Sequence, residues 1–274
     1  MKGLVLRGLT GLVFVIIMLL GAYWNAYSFV ILFGIITGLC LWEFLGLVLE
    51  QGLDRKIIGL YIGLFPYFLG ALYQLDIMRD SSQFLLQASL LFFPTLFLVF
   101  LYELSLRGAK PFANIGFIML GMIYIGIPFT LLQVAVFIEK DYHSNIVIGL
   151  LLMTWMNDTA AYIVGSQIGK TPLFPRISPK KTWEGTLGGL AGTLILAFLL
   201  NEYFEELILR DWLILAILVG LFGSLGDLVE SMLKRSFAIK DSGRLLPGHG
   251  GFLDRFDGFI FMLPFAAAYI VWLR

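Results

Sequence analysis

The sequence predicts an all-α integral membrane protein of about nine transmembrane helices, with its N-terminus in the cytoplasm and its C-terminus outside. Three observations predict it. Of 274 residues, 59% are hydrophobic and only 14% charged, whereas about a quarter of a soluble domain is charged. Apolar runs recur near the ~20 residues a helix needs to cross the hydrocarbon core, and the mean hydropathy is +0.90. The basic residues are placed unevenly: 15 lie on the N-terminal side of the predicted spans and 4 on the other, as expected when Lys and Arg are retained on the cytoplasmic face. Strands would need the alternation of a closed barrel to satisfy their backbone in lipid, and these runs are apolar all round.

In chain order the predicted spans are 8–26, 28–50, 57–75, 83–105, 113–138, 145–168, 186–201, 212–233 and 255–273. The first follows a basic lead, MKGLVLRG, as a secretory leader would. It reads as a retained span because AYWNAYS after it is a poor small-residue cleavage site. Gly34/Gly38, Gly59/Gly63 and Gly188/Gly192 have the small-xxx-small spacing that lets helix backbones approach. No repeat or low-complexity linker divides the chain. It reads as one polytopic domain, 1–274, in which 1–144 are variable hydrophobic spans and 145–274 form the half that carries chemistry. The single cysteine, Cys40, excludes an internal disulfide and a cysteine-built zinc site. Zero net charge gives no general attraction to nucleic acid.

Two loops on the cytoplasmic side are more polar than anchoring requires. One is WMNDTAAYIVGSQIGKTPLFPRISPKKTWEGTLGG, Trp155 to Gly189; the other is KRSFAIKDSGRLLPGHGGFLDRFDG, Lys234 to Gly258. An ionisable residue inside an apolar span costs ~2.5–3.5 kcal/mol on insertion scales and is a functional candidate by default. Asp158 and Asp227 are the two clearest. Asp227, Glu230, Ser231 and Lys234 recur at i, i+3, i+4 and i+7, one helical stripe facing something polar, although Glu230 and Lys234 also read as a structural pair. Asp254 and Asp257 are three apart at the entry of the last span. Paired carboxylates there suit a hard cation such as Mg²⁺, which takes one or two carboxylates, waters and phosphates; helix capping by Asp254 is the alternative.

Between them PGHGG, Pro247 to Gly251, is a glycine-rich turn able to bring N–H groups to an anion. His249 either donates to a phosphate or closes that turn. Lys180, Lys181, Lys234, Arg235, Lys240 and Arg255 are more cations than a buried site holds unless several phosphates neutralise them. Singly, each also reads as positive-inside anchoring. Ser178 and Ser231 have no histidine base at an evident position, so hydrogen bonding to phosphate suits them better than nucleophilic attack.

The run from Ser231 to Asp257 resembles the signature of the phosphatidate cytidylyltransferase (CDP-diglyceride synthetase) family. Ser231, Lys234, Arg235, Lys240, Asp241, Gly243, Leu246, Pro247, Gly248, His249, Gly250, Gly251, Asp254, Arg255 and Asp257 match it without a gap. NDTAAYIVGSQIGK and SPKKTWEG are similar to a second block of that family, with Asn157 in place of a small residue. The resemblance covers about Trp155 to Gly258. It implies a Mg²⁺-dependent, commonly dimeric enzyme of the inner membrane, with its site facing the cytoplasm, that converts CTP and phosphatidate to CDP-diacylglycerol and pyrophosphate. On that footing Asp227, Asp254 and Asp257 are expected at the metal, with Asp158 supporting it or a second cation. The cations, with Ser178, Ser231, Asp241, His249, Gly250 and Gly251, are expected to bind substrate. A related CTP-dependent lipid enzyme, such as a CDP-archaeol synthase or a polyprenol-type kinase, is the near alternative. An ion-coupled transporter is the remote one, because the polar residues gather in one half and on one face rather than in symmetric halves.

Overall fold

A computed structural model describes residues 2–50, 52–75, 82–106, 108–138, 141–243 and 250–272, with side chains from 8 onward and from 86 in the third of these stretches. It is a helical bundle: α1 (Lys2–Tyr23), α2 (Ala26–Val48), α3 (Leu53–Gln74), α4 (Ser82–Ser105), α5 (Pro111–Gly121), α6 (Ile127–Val136), α7 (Ser144–Ile168), α8 (Trp183–Tyr203), α9 (Leu209–Leu218), α10 (Ser224–Ser236) and α11 (Leu253–Trp272). Short π-helical segments, Met122–Gly126 and Val219–Gly223, join α5 to α6 and α9 to α10, so each pair forms one continuous rod. Two small antiparallel hairpins complete it, β1 (Phe137–Ile138) with β2 (Asp141–Tyr142) and β3 (Pro172–Phe174) with β4 (Ser178–Thr182).

Among the described residues eight helical rods are long and apolar enough to cross a membrane; the apolar part of α1, Gly8–Tyr23, is shorter. Each predicted span coincides with a helix or rod, and the expectation of nine crossings rests on α1 alone.

The rods pack through small residues and aromatics, since apolar side chains gain little by leaving lipid for protein and close contact must hold the helices together. A Cβ on Gly188 or Gly192 of α8 would run into Val164 or Ala160 of α7, and one on Gly126 would meet the carbonyl of Gly63 in α3. Phe29 and Phe33 of α2, Phe129 of α6, and Phe256 and Phe259 of α11 form a chain of rings 5.0–6.4 Å apart. This cluster joins α11 to α2 and α6. The first π segment has a local cause: Pro128 cannot donate an N–H to the turn before it, and a widened turn relieves its ring.

At one end of the amino-terminal half, three helix ends are tied by buried charge. Arg55 of α3 donates from Nε and Nη2 to the two oxygens of Glu103 in α4 at 2.6 and 3.2 Å, and Asn114 of α5 donates to Glu103 and Glu50. Replacing Glu103 with Ala leaves the buried Arg55 guanidinium with only Glu50, 3.9 Å away, and is expected to cost about 3 kcal/mol, seen as a lower thermal midpoint in detergent. Arg55→Met with Glu103→Leu should recover most of it. An unchanged midpoint for Glu103→Ala would remove this network from the stability of the fold.

Candidate active site

The first polar loop folds against the start of α10, the helix that leads into the second, where α7, α8 and α10 meet. The carboxyl-terminal turns of α7 are polar on one side, and Gly169 ends the helix. The chain then forms the β3–β4 hairpin. Glu184, in the first turn of α8, pins its base by accepting from the Thr171 hydroxyl at 2.9 Å and from the Lys170 and Thr171 amides. Thr182 caps α8, accepting from Gly185 N–H at 3.1 Å. Gly185 in turn lies so close to the Ala161 carbonyl that a Cβ would touch it. A loop was expected here; the paired strands project Lys180 and Lys181 over the end of α7.

Lys181 crosses to α10. Its Nζ lies 2.5 Å from Asp227 Oδ2 and donates to the Ser224 carbonyl at 3.3 Å. Asn157 of α7 is buried and donates to the Ser224 hydroxyl at 3.3 Å. Ser231 donates to Asp227 Oδ1, also at 3.3 Å. The second π segment, with Gly223 and Gly226 packed on α11 at Gly258 and Asp257, sets the direction in which Ser224 and Asp227 face. Asp158, Tyr162, Lys180, Lys181, Thr186 and Asp227 line a cavity of about 450 Å³. Asp158 is exposed to it and lies in the field of Asp227, Lys181 and Arg255. Asp257 lies in that of Asp227, Glu230 and Asp158.

A second knot of charge ties α10 to α11. Lys234 is salt-bridged to the fully buried Glu230 and lies 2.7 Å from Asp254 Oδ1. Asp254 reaches back to accept from Gly251 N–H at 2.9 Å and takes Ser242 N–H at 3.1 Å. Reaching back to an N–H just before the helix is what the acidic member of a capping box does. Both alternative readings are therefore realised: Glu230 and Lys234 pair, and Asp254 secures a helix start.

The expected site residues divide accordingly. Asp158, Lys180, Lys181 and Asp227 meet at the cavity, Asp257 lies in their field, and Ser231 supports Asp227. Lys234 and Asp254 meet each other. Arg235 is exposed and donates to the Ile239 carbonyl at 3.0 Å. Lys240, Asp241 and Arg255 are exposed, and Ser178 opens β4 without lining the cavity. Gly250 has φ +86°, the left-handed conformation that favours glycine. His249 lies outside the described residues, as do 244–248. No three His, Cys, Asp or Glu side chains converge as a metal cage among the described residues. Of the carboxylates expected together, Asp227 is paired with Lys181 and Asp254 with Lys234.

Sequence reasoning missed Asn157, Ser224 and Glu184, whose roles depend on partners 13 to 67 positions away. It also missed Glu43, which is buried in α2 and accepts from the Leu253 amide. A carboxylate in an apolar span was the available signal.

Comparison with known proteins identifies the family. A family model described as "Cytidylyltransferase family" matches residues 5–273. Phosphatidate cytidylyltransferases of Staphylococcus aureus (strain COL) and Staphylococcus haemolyticus are each 41% identical to the chain over 170 residues, and that of Staphylococcus saprophyticus is 42% identical over the same length. Each alignment covers 61% of this chain and 64% of the relative, so the chain matches just under two thirds of the length of these curated relatives.

Lys234→Met leaves Glu230 buried without its cation and is expected to lower stability by about 3–5 kcal/mol. Adding Glu230→Gln should restore most of the thermal midpoint. If the double variant is as unstable as the single one, the Lys234–Glu230 pair is not what joins these elements.

Proposed function

The chain belongs to the cytidylyltransferase family, and from that premise we propose that it transfers a cytidylyl group from CTP to phosphatidate, giving CDP-diacylglycerol and pyrophosphate. One observation carries this reading: Lys181 of the first polar loop and Asp227 of α10, the helix that leads into the second, meet at 2.5 Å on the wall of a cavity also lined by Asp158 and Lys180. Opposite charges interleaved at a cavity suit a site that takes both phosphate groups and a cation.

In the proposed step an oxygen of the phosphatidate phosphate forms a bond to the α-phosphorus of CTP. The bond from that phosphorus to the bridging oxygen breaks, and pyrophosphate leaves with the electron pair. The nucleophile needs no general base, because a phosphate monoester with a second pKa of about 6 is largely a dianion at neutral pH. The protein must instead hold two polyanions together in line and offset the charge on the leaving group. Lys180 and Lys181, carried on a strand pinned by Glu184, bring positive charge to the cavity. Lys240, Arg235 and Arg255 add to it from the second block, with the Gly250 amide and His249 as further phosphate donors.

Mg²⁺ fits the donor set. Asp158, Asp227 and Asp257 act on one another electrostatically, and hard carboxylate oxygens with substrate phosphates are what Mg²⁺ takes without a protein cage. Asp227, Asp158 and Asp257 would hold it, Asp227 by releasing Lys181, and Asp254 would join them only by releasing Lys234. When bound, the ion would draw charge from the phosphates during transfer. Membership of the inner membrane and a cytoplasmic site are part of the proposal, supported by the 15 to 4 distribution of Lys and Arg. A homodimer is also part of it, resting on the resemblance alone, and is tested by the mass of the detergent-solubilised protein.

Purified protein given phosphatidate, CTP labelled in the α-phosphate and Mg²⁺ is expected to place the label in CDP-lipid and release pyrophosphate. Chelation should abolish this, and Asp227→Asn should lower turnover on the order of 100-fold with an unchanged thermal midpoint. Release of CDP with a phosphorylated alcohol would overturn the reading in favour of a kinase. Orientation is tested by cysteine labelling, for which the fully buried Cys40 is a silent background. In intact cells an impermeant maleimide should label Glu205→Cys and should reach Arg176→Cys only after permeabilisation; the reverse pattern would invert the topology.

A further inference from the structure

Glu43 belongs to α2, in the half of the chain that lacks the motifs, and it is 6% exposed. Its Oε2 accepts from the Leu253 N–H at 2.9 Å and from the Ser242 hydroxyl at 3.4 Å. These two donors lie in separate stretches of the signature segment, 241–243 and 250–253, 11 residues apart in sequence and about 200 from Glu43. A Cβ built on Gly243 would run into the Glu43 carboxylate from one side, and one built on Gly251 would meet it from the other. Neither glycine has the left-handed φ that Gly250 has. Backbone conformation therefore does not require glycine at 243 or 251. The space is taken by the carboxylate.

We propose that Glu43 is a positioning residue: its carboxylate is the post around which these two stretches of the signature segment, 241–243 and 250–253, are folded. The glycine-rich stretch reads in sequence as a cradle for a ligand anion, and at these two positions it encloses an anion of the protein's own. The consequence runs through Asp254. Ser242 and Gly251, the residues pressed against Glu43, are the two whose amides hold Asp254, and Asp254 in turn holds Lys234. Glu43 thus sets the placement of Asp254 and Lys234 without touching substrate. Its second oxygen, Oε1, is buried with no hydrogen-bond partner among the described residues. Packing against the glycines, rather than a complete set of hydrogen bonds, keeps it in place.

The kinetic part of this inference rests on the cytidylyl-transfer reading; the structural part does not, so the test has arms that separate them. Hydrogen exchange on the full-length protein in detergent should show faster exchange in peptides covering 241–243 and 250–253 for Glu43→Ala, with other helices unchanged. Glu43→Gln, whose carbonyl oxygen can accept from the same two donors, should stay close to the parent. Gly243→Ala should disturb the same peptides in the parent and add little in Glu43→Ala, because the clash is gone, a non-additivity that marks direct contact. In the activity arm, Glu43→Ala should lower kcat/KM for CTP by about tenfold or more, with Glu43→Gln recovering most of it.

Uniformly raised exchange with parental kcat/KM in the folded fraction would show ordinary loss of stability and overturn the proposal. Additive effects of Glu43→Ala and Gly243→Ala would overturn it as well. Should the parent protein transfer no cytidylyl group, the exchange pattern and the Glu43–Gly243 cycle would still decide the positioning role, and the functional reading would fail separately.

Discussion

A charge held at the depth of a bilayer must be matched inside the protein, and this constraint organises the carboxyl-terminal half. Lys234 is shared by Glu230 and Asp254, and Lys181 is given to Asp227. The first pairing closes α10 onto α11; the second draws the β3–β4 hairpin down onto α10. Each ionised group that would be costly in lipid therefore also serves as a tie between segments that are distant in sequence. Removing Lys234 would leave the buried Glu230 without its cation, whereas the Lys181–Asp227 pair is partly exposed, so the first pairing bears on the stability of the bundle and the second on the geometry of the cavity.

The two halves of the chain divide the work less cleanly than their compositions suggest. The amino-terminal spans supply the frame: the aromatic chain through Phe29, Phe33 and Phe129 locates α11, and the Arg55–Glu103 network fixes the ends of α3, α4 and α5. Yet Glu43 reaches from that frame into the signature segment. The other adjustment is in the backbone. The π segment at Val219–Gly223 lies directly before Ser224 and Asp227, so the widened turn decides which way the working residues of α10 point.

The spans were legible in the sequence because hydrocarbon thickness fixes both the length and the composition of a crossing helix, and all nine predicted runs coincide with helices. Asp158 and Asp227 were legible for the same reason, as charges where apolar residues belong. Glu43 satisfied that rule too and was passed over, because no motif surrounds it. What could not be read was pairing at a distance: nothing local indicates that Lys181 meets Asp227, or that Asp254 spends its oxygens on Lys234 and two amides. Asn157 read as a departure from the family pattern; in the structure its amide links α7 to Ser224. The hairpin was hidden by Pro172, Pro175 and Pro179, which punctuate a stretch that reads as irregular and pairs only at its ends.

The claim at the centre of this account is that the nucleotide and the lipid phosphate meet at the cavity beside Lys181 and Asp227. The most direct measurement is an experimental structure of the protein with Mg²⁺ and a CTP analogue that resists cleavage between its α- and β-phosphates. The account predicts triphosphate density against Lys181 and cation density at the Asp227 carboxylate. Triphosphate bound elsewhere, with the Lys181–Asp227 pair intact and no cation beside it, would contradict it.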